Sequence, residues 1–97
     1  MTRPIHRQAE LDLTEAFRFY RSEGGRGIAE RFLNEFERTS RLLEQQPGLG
    51  TPTEAGRRVH PLVDFPYSII YLDDLDGIRI LVVRHQHRDP DFGNARQ

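Results

Sequence analysis

Two histidines two residues apart, His85 and His87, stand between Arg84 and Arg88 near the end of an apolar run. Arg58 opens a second run, and Tyr67 and Tyr71 sit in a third. Imidazole carries a proton near neutral pH and guanidinium a fixed positive charge, so these groups can move a proton, hold an anion or meet an acidic partner. A metal pair is the other reading of His85 and His87. Only Asp89 continues their face, and no third histidine or carboxylate follows at ligand spacing, so no metal site is expected. Tyr67 and Tyr71, with Ile69 between them, share one face of a strand; their rings should pack while their hydroxyls stay wet. Arg57-Arg58 alone is too short for a nucleic-acid patch, and His60 reads as a polar strand residue.

Composition narrows the partners. The 97 residues make one domain, 1–97, with 36% hydrophobic and 30% charged residues, an ordinary globular balance. The net charge is −1, although nucleic-acid ligands usually draw excess positive charge, because phosphate neutralisation supplies most of the affinity. Direct DNA binding by this chain alone is therefore not expected. All fourteen basic residues are arginine, which fits compositional bias better than bidentate recognition at every position. With no cysteine there is neither a disulfide framework nor a thiolate metal site. No stretch approaches the roughly 20 apolar residues of a membrane span, and no secretory leader is recognisable, so a cytoplasmic protein without membrane contact is expected.

The elements that position these groups follow from periodicity. Residues 3–7 read as a short edge strand, confined there by Pro4. Ala9, Leu13, Ala16, Phe17 and Tyr20 form a helical stripe over 8–23, which Gly24-Gly25 stops. A second stripe, Ala29, Phe32, Leu33, Phe36, Ser40 and Leu43, predicts a helix over 27–46, ended by Pro47-Gly48. So short a connection predicts an antiparallel helical hairpin. The acidic pairs Glu10-x-Asp12 and Glu35-x-Glu37 point in different directions on a helix and read as solvated.

A polar loop over 47–56 precedes three strands within 57–62, 65–71 and 78–90, linked around Val63-Asp64-Phe65 and by Asp73-Asp74-Leu75-Asp76-Gly77. Short links require antiparallel pairing, and Asp-Gly is a hairpin signal. Strict alternation puts Ile78, Ile80 and Val82 on one side of the last strand and Leu81, Val83, His85 and His87 on the other. A strand apolar on both sides is expected to be central, with the hairpin on one face and a second protein over part of the other. The tail, 91–97, is polar and expected to fray. The fold class is thus α+β, a helical hairpin packed on a mainly antiparallel sheet in the order β-α-α-β-β-β.

Several local words, in order, resemble the ParE branch of the RelE/ParE toxin superfamily. They are Ala9-x-x-Asp12-Leu13, Tyr20, Ala29, Phe32-Leu33 and Pro47-x-x-Gly50-x-Pro52. Arg58, Phe65-Pro66-Tyr67-x-Ile69-x-Tyr71 and Val83-x-His85-x-x-Arg88-x-Pro90 complete the series. Each is weak alone, and together they span nearly the whole chain. The resemblance implies the toxin component of a type II toxin–antitoxin system, bound and neutralised by a cognate antitoxin, with DNA gyrase as the target of ParE-type members. RelE-type members cut messenger RNA on the ribosome, and an inactive homologue serving only as antitoxin partner is a third reading; fold alone does not choose. No cofactor is implied.

For a gyrase binder no catalytic residue is required, and Arg58, Arg84, His85 and Arg88 are the expected antitoxin- or target-binding positions. For a nuclease, attack by a ribose hydroxyl needs a base, an acid and a cation for the phosphorane. The candidates are then His85, His87, Arg58, Arg84, Arg88 and Tyr71. The net charge and the missing lysines favour the binder.

Overall fold

The helical periodicity survives folding with its boundaries shifted by one residue. A computed structural model describes residues 5–74, 76–88, 92, 93, 95 and 96. In it α1 spans Arg7–Gly24 and α2 spans Arg26–Gln45. Gly25 alone joins them, at φ 91°, a conformation open to glycine and strained for other residues. His6 caps α1 with its imidazole, whose Nδ1 accepts the N–H of Gln8 at 3.1 Å. The stripes face the sheet: Ala9, Ala16, Ala29, Phe32, Phe36 and Leu43 are buried, with Leu13, Tyr20 and Leu33 packed against them.

Four antiparallel strands follow, in spatial order β1-β2-β3-β4: Thr51–Pro52, Arg57–Pro61, Tyr67–Asp74 and Gly77–His85. The α+β class and the helical hairpin on an antiparallel sheet are therefore as expected. The two-residue β1 arises inside the stretch read as loop, pairing Thr51 with Val59 and Pro52 with Arg58. At the amino-terminal end Arg3 and Pro4 lie outside the described residues. Ile5 makes a single parallel bridge to Ile80, and Arg7 already belongs to α1, so the described part of the expected first strand is one bridge. The β3–β4 hairpin closes between Asp74 and Gly77, and the Asp74 carboxylate accepts the N–H of Asp76 at 3.1 Å. Gly77 is thus the first residue of β4, at φ 119°, and Leu75 lies outside the described residues.

Two expectations for β4 are corrected. Among the described strands it stands at one end of the sheet, with only the Ile5 bridge on its other side, where a central strand was expected. Its alternation is also broken by a bulge: Ile70 pairs with Val82 and Tyr71 with Ile80, so Leu81 is an extra residue. Ile78, Ile80 and Val83 consequently join the helix-side core with Ile69 and Tyr71, while Leu81 and Val82 share the other face with Ile70. His85, two residues past Val83, follows it to the helix side. The open face is partly covered from within the chain. Phe92 packs on Ile70, Leu81 and Val82, and the Arg96 side chain is only 10% exposed. The tail expected to fray is held at these residues; Asp91, Asn94 and Gln97 lie outside the described ones.

Candidate functional site

The end of β4 beside α1 carries the densest set of chemically capable groups. There Tyr67, Val83, His85, Arg88 and Phe92 face Asp12, Glu15, Ala16 and Phe19 of α1 across a cleft of about 190 Å³. Pairing with Tyr67 puts His85 on this side and fixes its height. The Tyr67 and His85 rings meet edge to face at 5.0 Å between centroids, and His87 follows at 5.4 Å from His85. Behind them Tyr67 packs on Tyr20 and Phe32, which join Phe65 in an aromatic cluster that backs the wall. Arg88 lies over the Phe92 ring, 4.3 Å from its centroid.

Protonation defines what this wall offers. Burial pushes the Tyr67 phenol above its ordinary range, with Arg88 opposing and Glu15 adding to the rise, so the hydroxyl is a donor at neutral pH. The Nδ1 of His85 accepts the backbone N–H of His87 at 3.1 Å, which leaves Nε2 to carry the proton of the neutral ring. Two donors and a guanidinium suit an acceptor or anionic group on a partner.

Arg58 and Tyr71 lie elsewhere. Arg58 pairs with Tyr71, four residues along β3 from Tyr67, or about 13 Å at strand rise. The Arg58 guanidinium donates to the carbonyls of Gly50 at 2.9 Å and Gly48 at 3.3 Å, and its Nε stands 3.6 Å from the Asp73 carboxylate. Tyr71 is fully buried; its hydroxyl donates to the carbonyl of Pro47 at 2.7 Å and accepts the N–H of Gly50 at 2.9 Å. Burial raises its pKa, against smaller opposing effects of Gly50 and Arg58. Both residues anchor the 47–50 turn. Tyr71 thus leaves the conditional nuclease set, and its hydroxyl is not wet. Arg84 pairs with Ser68 on the open face. Of the six candidates, only His85, His87 and Arg88 come together.

Two carboxylates that sequence reasoning took as solvated are instead structural. Asp12 is 9% exposed; it accepts the N–H of Val83 at 3.1 Å and the guanidinium of Arg96. Glu35 is 12% exposed and accepts from Arg38 at 2.7 and 2.8 Å, from Thr39 at 3.1 Å and from the N–H of Val63 at 2.6 Å. The Arg38 hydrogen bonds lower the Glu35 pKa most; burial opposes, and the Val63 N–H lowers it further. A usable signal existed: Asp12 stands three residues after Ala9 and four before Ala16, on the margin of the apolar stripe.

Among the described residues no group of three or more histidines and carboxylates stands together as a metal site, and no helix is long and apolar enough to cross a membrane. Residues 5–90 match the sequence profile of the family described as ParE toxin of type II toxin-antitoxin system, parDE. Among solved structures, a chain of the "Chromosomal ParDE TA system from P. aeruginosa" is similar at a TM-score of 0.78 and 25% identity, over 88% of this chain and 95% of that one. No curated protein matches the sequence.

Proposed function

The chain belongs to the ParE toxin family of type II toxin–antitoxin systems, and from that premise we propose that a cognate antitoxin neutralises it and that it inhibits DNA gyrase by binding, without cutting RNA. The carrying observation is the family match over residues 5–90. The geometry supports a binder in a second way: Arg58 and Tyr71 are tied into the 47–50 turn, away from the cleft of His85 and Arg88. The Arg58 guanidinium and the Tyr71 hydroxyl would then be out of reach of a phosphorane held at that cleft. Surface recognition needs only fixed donors and charge, which Tyr67, His85 and Arg88 supply on an aromatic wall.

The antitoxin reading rests on the likeness to the ParDE system. Acidic residues of the antitoxin are expected to meet Arg88 and His85 at the cleft and Arg84 on the open face. Arg58, already engaged by the 47–50 turn and Asp73, is expected to contribute less.

A supercoiling assay with purified gyrase tests the proposal, run beside an in vitro translation reaction whose RNA ends are mapped. Loss of supercoiling with intact messenger RNA is the expected result. Mapped cleavage with unaffected gyrase would move the chain to the RelE-type reading. Absence of both effects, with a stable antitoxin complex, would leave the inactive-partner reading.

A further inference from the structure

Among the described residues four large apolar side chains stand out in solvent, and two of them, Leu11 at 59% and Phe19 at 56% exposed, belong to α1. They are eight residues apart, about 12 Å along the helix. Glu15 stands midway between them and Glu23 one turn beyond. Leu11, Glu15, Phe19 and Glu23 thus form one ridge at four-residue spacing, exposed throughout. The buried residues of α1, Ala9 and Ala16, lie elsewhere on the helix. Neither Glu15 nor Glu23 makes a hydrogen bond or ion pair among the described residues. Glu23 lies in the last turn of α1, where the helix dipole disfavours a carboxylate, so its charge gains nothing from its own helix.

The ridge runs into the cleft. Glu15 and Phe19 line it from α1, across from His85 and Arg88 at the end of β4. The Phe19 ring meets Tyr20 edge to face at 5.4 Å, and Tyr20 meets Tyr67 at 6.2 Å, so the exposed ring continues the aromatic wall. Tyr67 feels both signs of charge: beyond burial, which raises its pKa most, Arg88 lowers it and Glu15 raises it. One side of this surface is therefore apolar and anionic, and the other is cationic.

Given the antitoxin reading above, we propose that the ridge of Leu11, Glu15, Phe19 and Glu23 docks one amphipathic helix of the antitoxin, whose apolar face is flanked by lysine or arginine. A ridge at four-residue spacing seats in the groove between side-chain rows of another helix. Leu11 and Phe19 supply the apolar anchors, and the two unpaired carboxylates call for cations. Glu15 also fixes the orientation of the partner. Carboxylates of the antitoxin are admitted beside His85 and Arg88 and repelled along α1, so a helix laid the wrong way sets like charges together.

Titration calorimetry with the full-length antitoxin encoded beside this chain tests the docking, with circular dichroism to establish that each variant is folded. Phe19→Ala should weaken the complex at least about 30-fold and Glu15→Arg at least about tenfold. Glu30→Arg, an equal charge reversal on α2, should change the affinity less than about twofold. An antitoxin in which the basic residue facing Glu15 is replaced by glutamate should recover the loss in Glu15→Arg. Leu11→Ala repeats the apolar test without touching the Tyr20 contact, should Phe19→Ala fail to fold. Folded ridge variants that bind the antitoxin like the unaltered chain overturn the proposal and leave the antitoxin reading intact. Ridge variants that lose gyrase inhibition while binding the antitoxin normally also overturn it, and assign the ridge to the target. If the unaltered chain forms no complex, the antitoxin reading falls and the docking falls with it.

Discussion

The hydroxyl of Tyr71 sits under the backbone of Gly50, accepting its N–H at 2.9 Å, and a Cβ on Gly50 would come within 2.6 Å of that oxygen. The contact explains why the 47–50 turn needs both residues: one supplies a buried acceptor and the other the room for it. Tyr71→Phe strands the N–H of Gly50 and the carbonyl of Pro47 and should cost about 1–3 kcal/mol in urea unfolding. Gly50→Ala should cost more, because Tyr71 and Arg58 must both move. Gyrase inhibition by folded Tyr71→Phe should be unchanged; its loss with native stability would place Tyr71 in function.

Glu35 makes stability depend on acid. Its folded pKa is depressed, so it contributes in full above its unfolded value of about 4.3 and loses that contribution as pH falls through the folded pKa. Glu35→Gln should therefore cost about 1–2 kcal/mol at pH 7, and the gap between the two proteins should narrow below about pH 4. Denaturation midpoints measured from pH 7 to pH 3 check this. A gap independent of pH would mean that the carboxylate charge is immaterial.

Phe36 and Ser40 lie one turn apart on the buried side of α2 and should respond in opposite directions. Phe36 is 1% exposed, and Phe36→Ala should cost about 3–5 kcal/mol. The Ser40 hydroxyl is buried without a hydrogen-bond partner among the described residues, so Ser40→Ala should be neutral or stabilise by about 1 kcal/mol. Chemical denaturation of both variants decides; a loss above about 1 kcal/mol for Ser40→Ala would show that its hydroxyl is satisfied in solution.

For a binder no proton needs to move, so His87→Ala should leave growth inhibition on induction largely intact, and His85→Ala should cost only the one contact its ring supplies at the cleft. In a nuclease, loss of an acid or base should lower cleavage about a hundredfold to ten-thousandfold. A histidine variant that is folded and antitoxin-bound but harmless would favour the nuclease.

The helices and hairpins were legible because burial follows their periods: Phe32, Phe36 and Leu43 repeat on α2, and Asp74 to Gly77 marks a turn. The bulge was not legible. Ile80, Leu81, Val82 and Val83 are all apolar, and a run without polar residues carries no alternation to reveal a skipped position. The same uniformity made β4 read as central. Asp12, Glu35 and Arg96 were missed for a different reason. Their partners are 71, 28 and 84 residues away in the chain, and local spacing says nothing about contacts of that range. Within the site, His85, His87 and Arg88 were found from their types and proximity; Glu15, Phe19 and Phe92, which also line the cleft, needed the fold.

The extra residue at Leu81 sets a rule for how this chain tolerates changes in length. Between the Asp74–Gly77 turn and His85 one position is out of step, and beyond it the imidazole stands opposite Tyr67 on the side of α1. Deleting Leu81 would close the bulge into a regular hairpin and leave His85 opposite Tyr67, on the side of α1, because cross-strand partners share a face. Divergent copies should therefore vary freely in which aliphatic residues fill 80–83, and loss of the single unpaired position should leave the histidine facing α1. Gains or losses of single residues should collect in the 53–56 connection between β1 and β2, outside the anchored 47–50 turn.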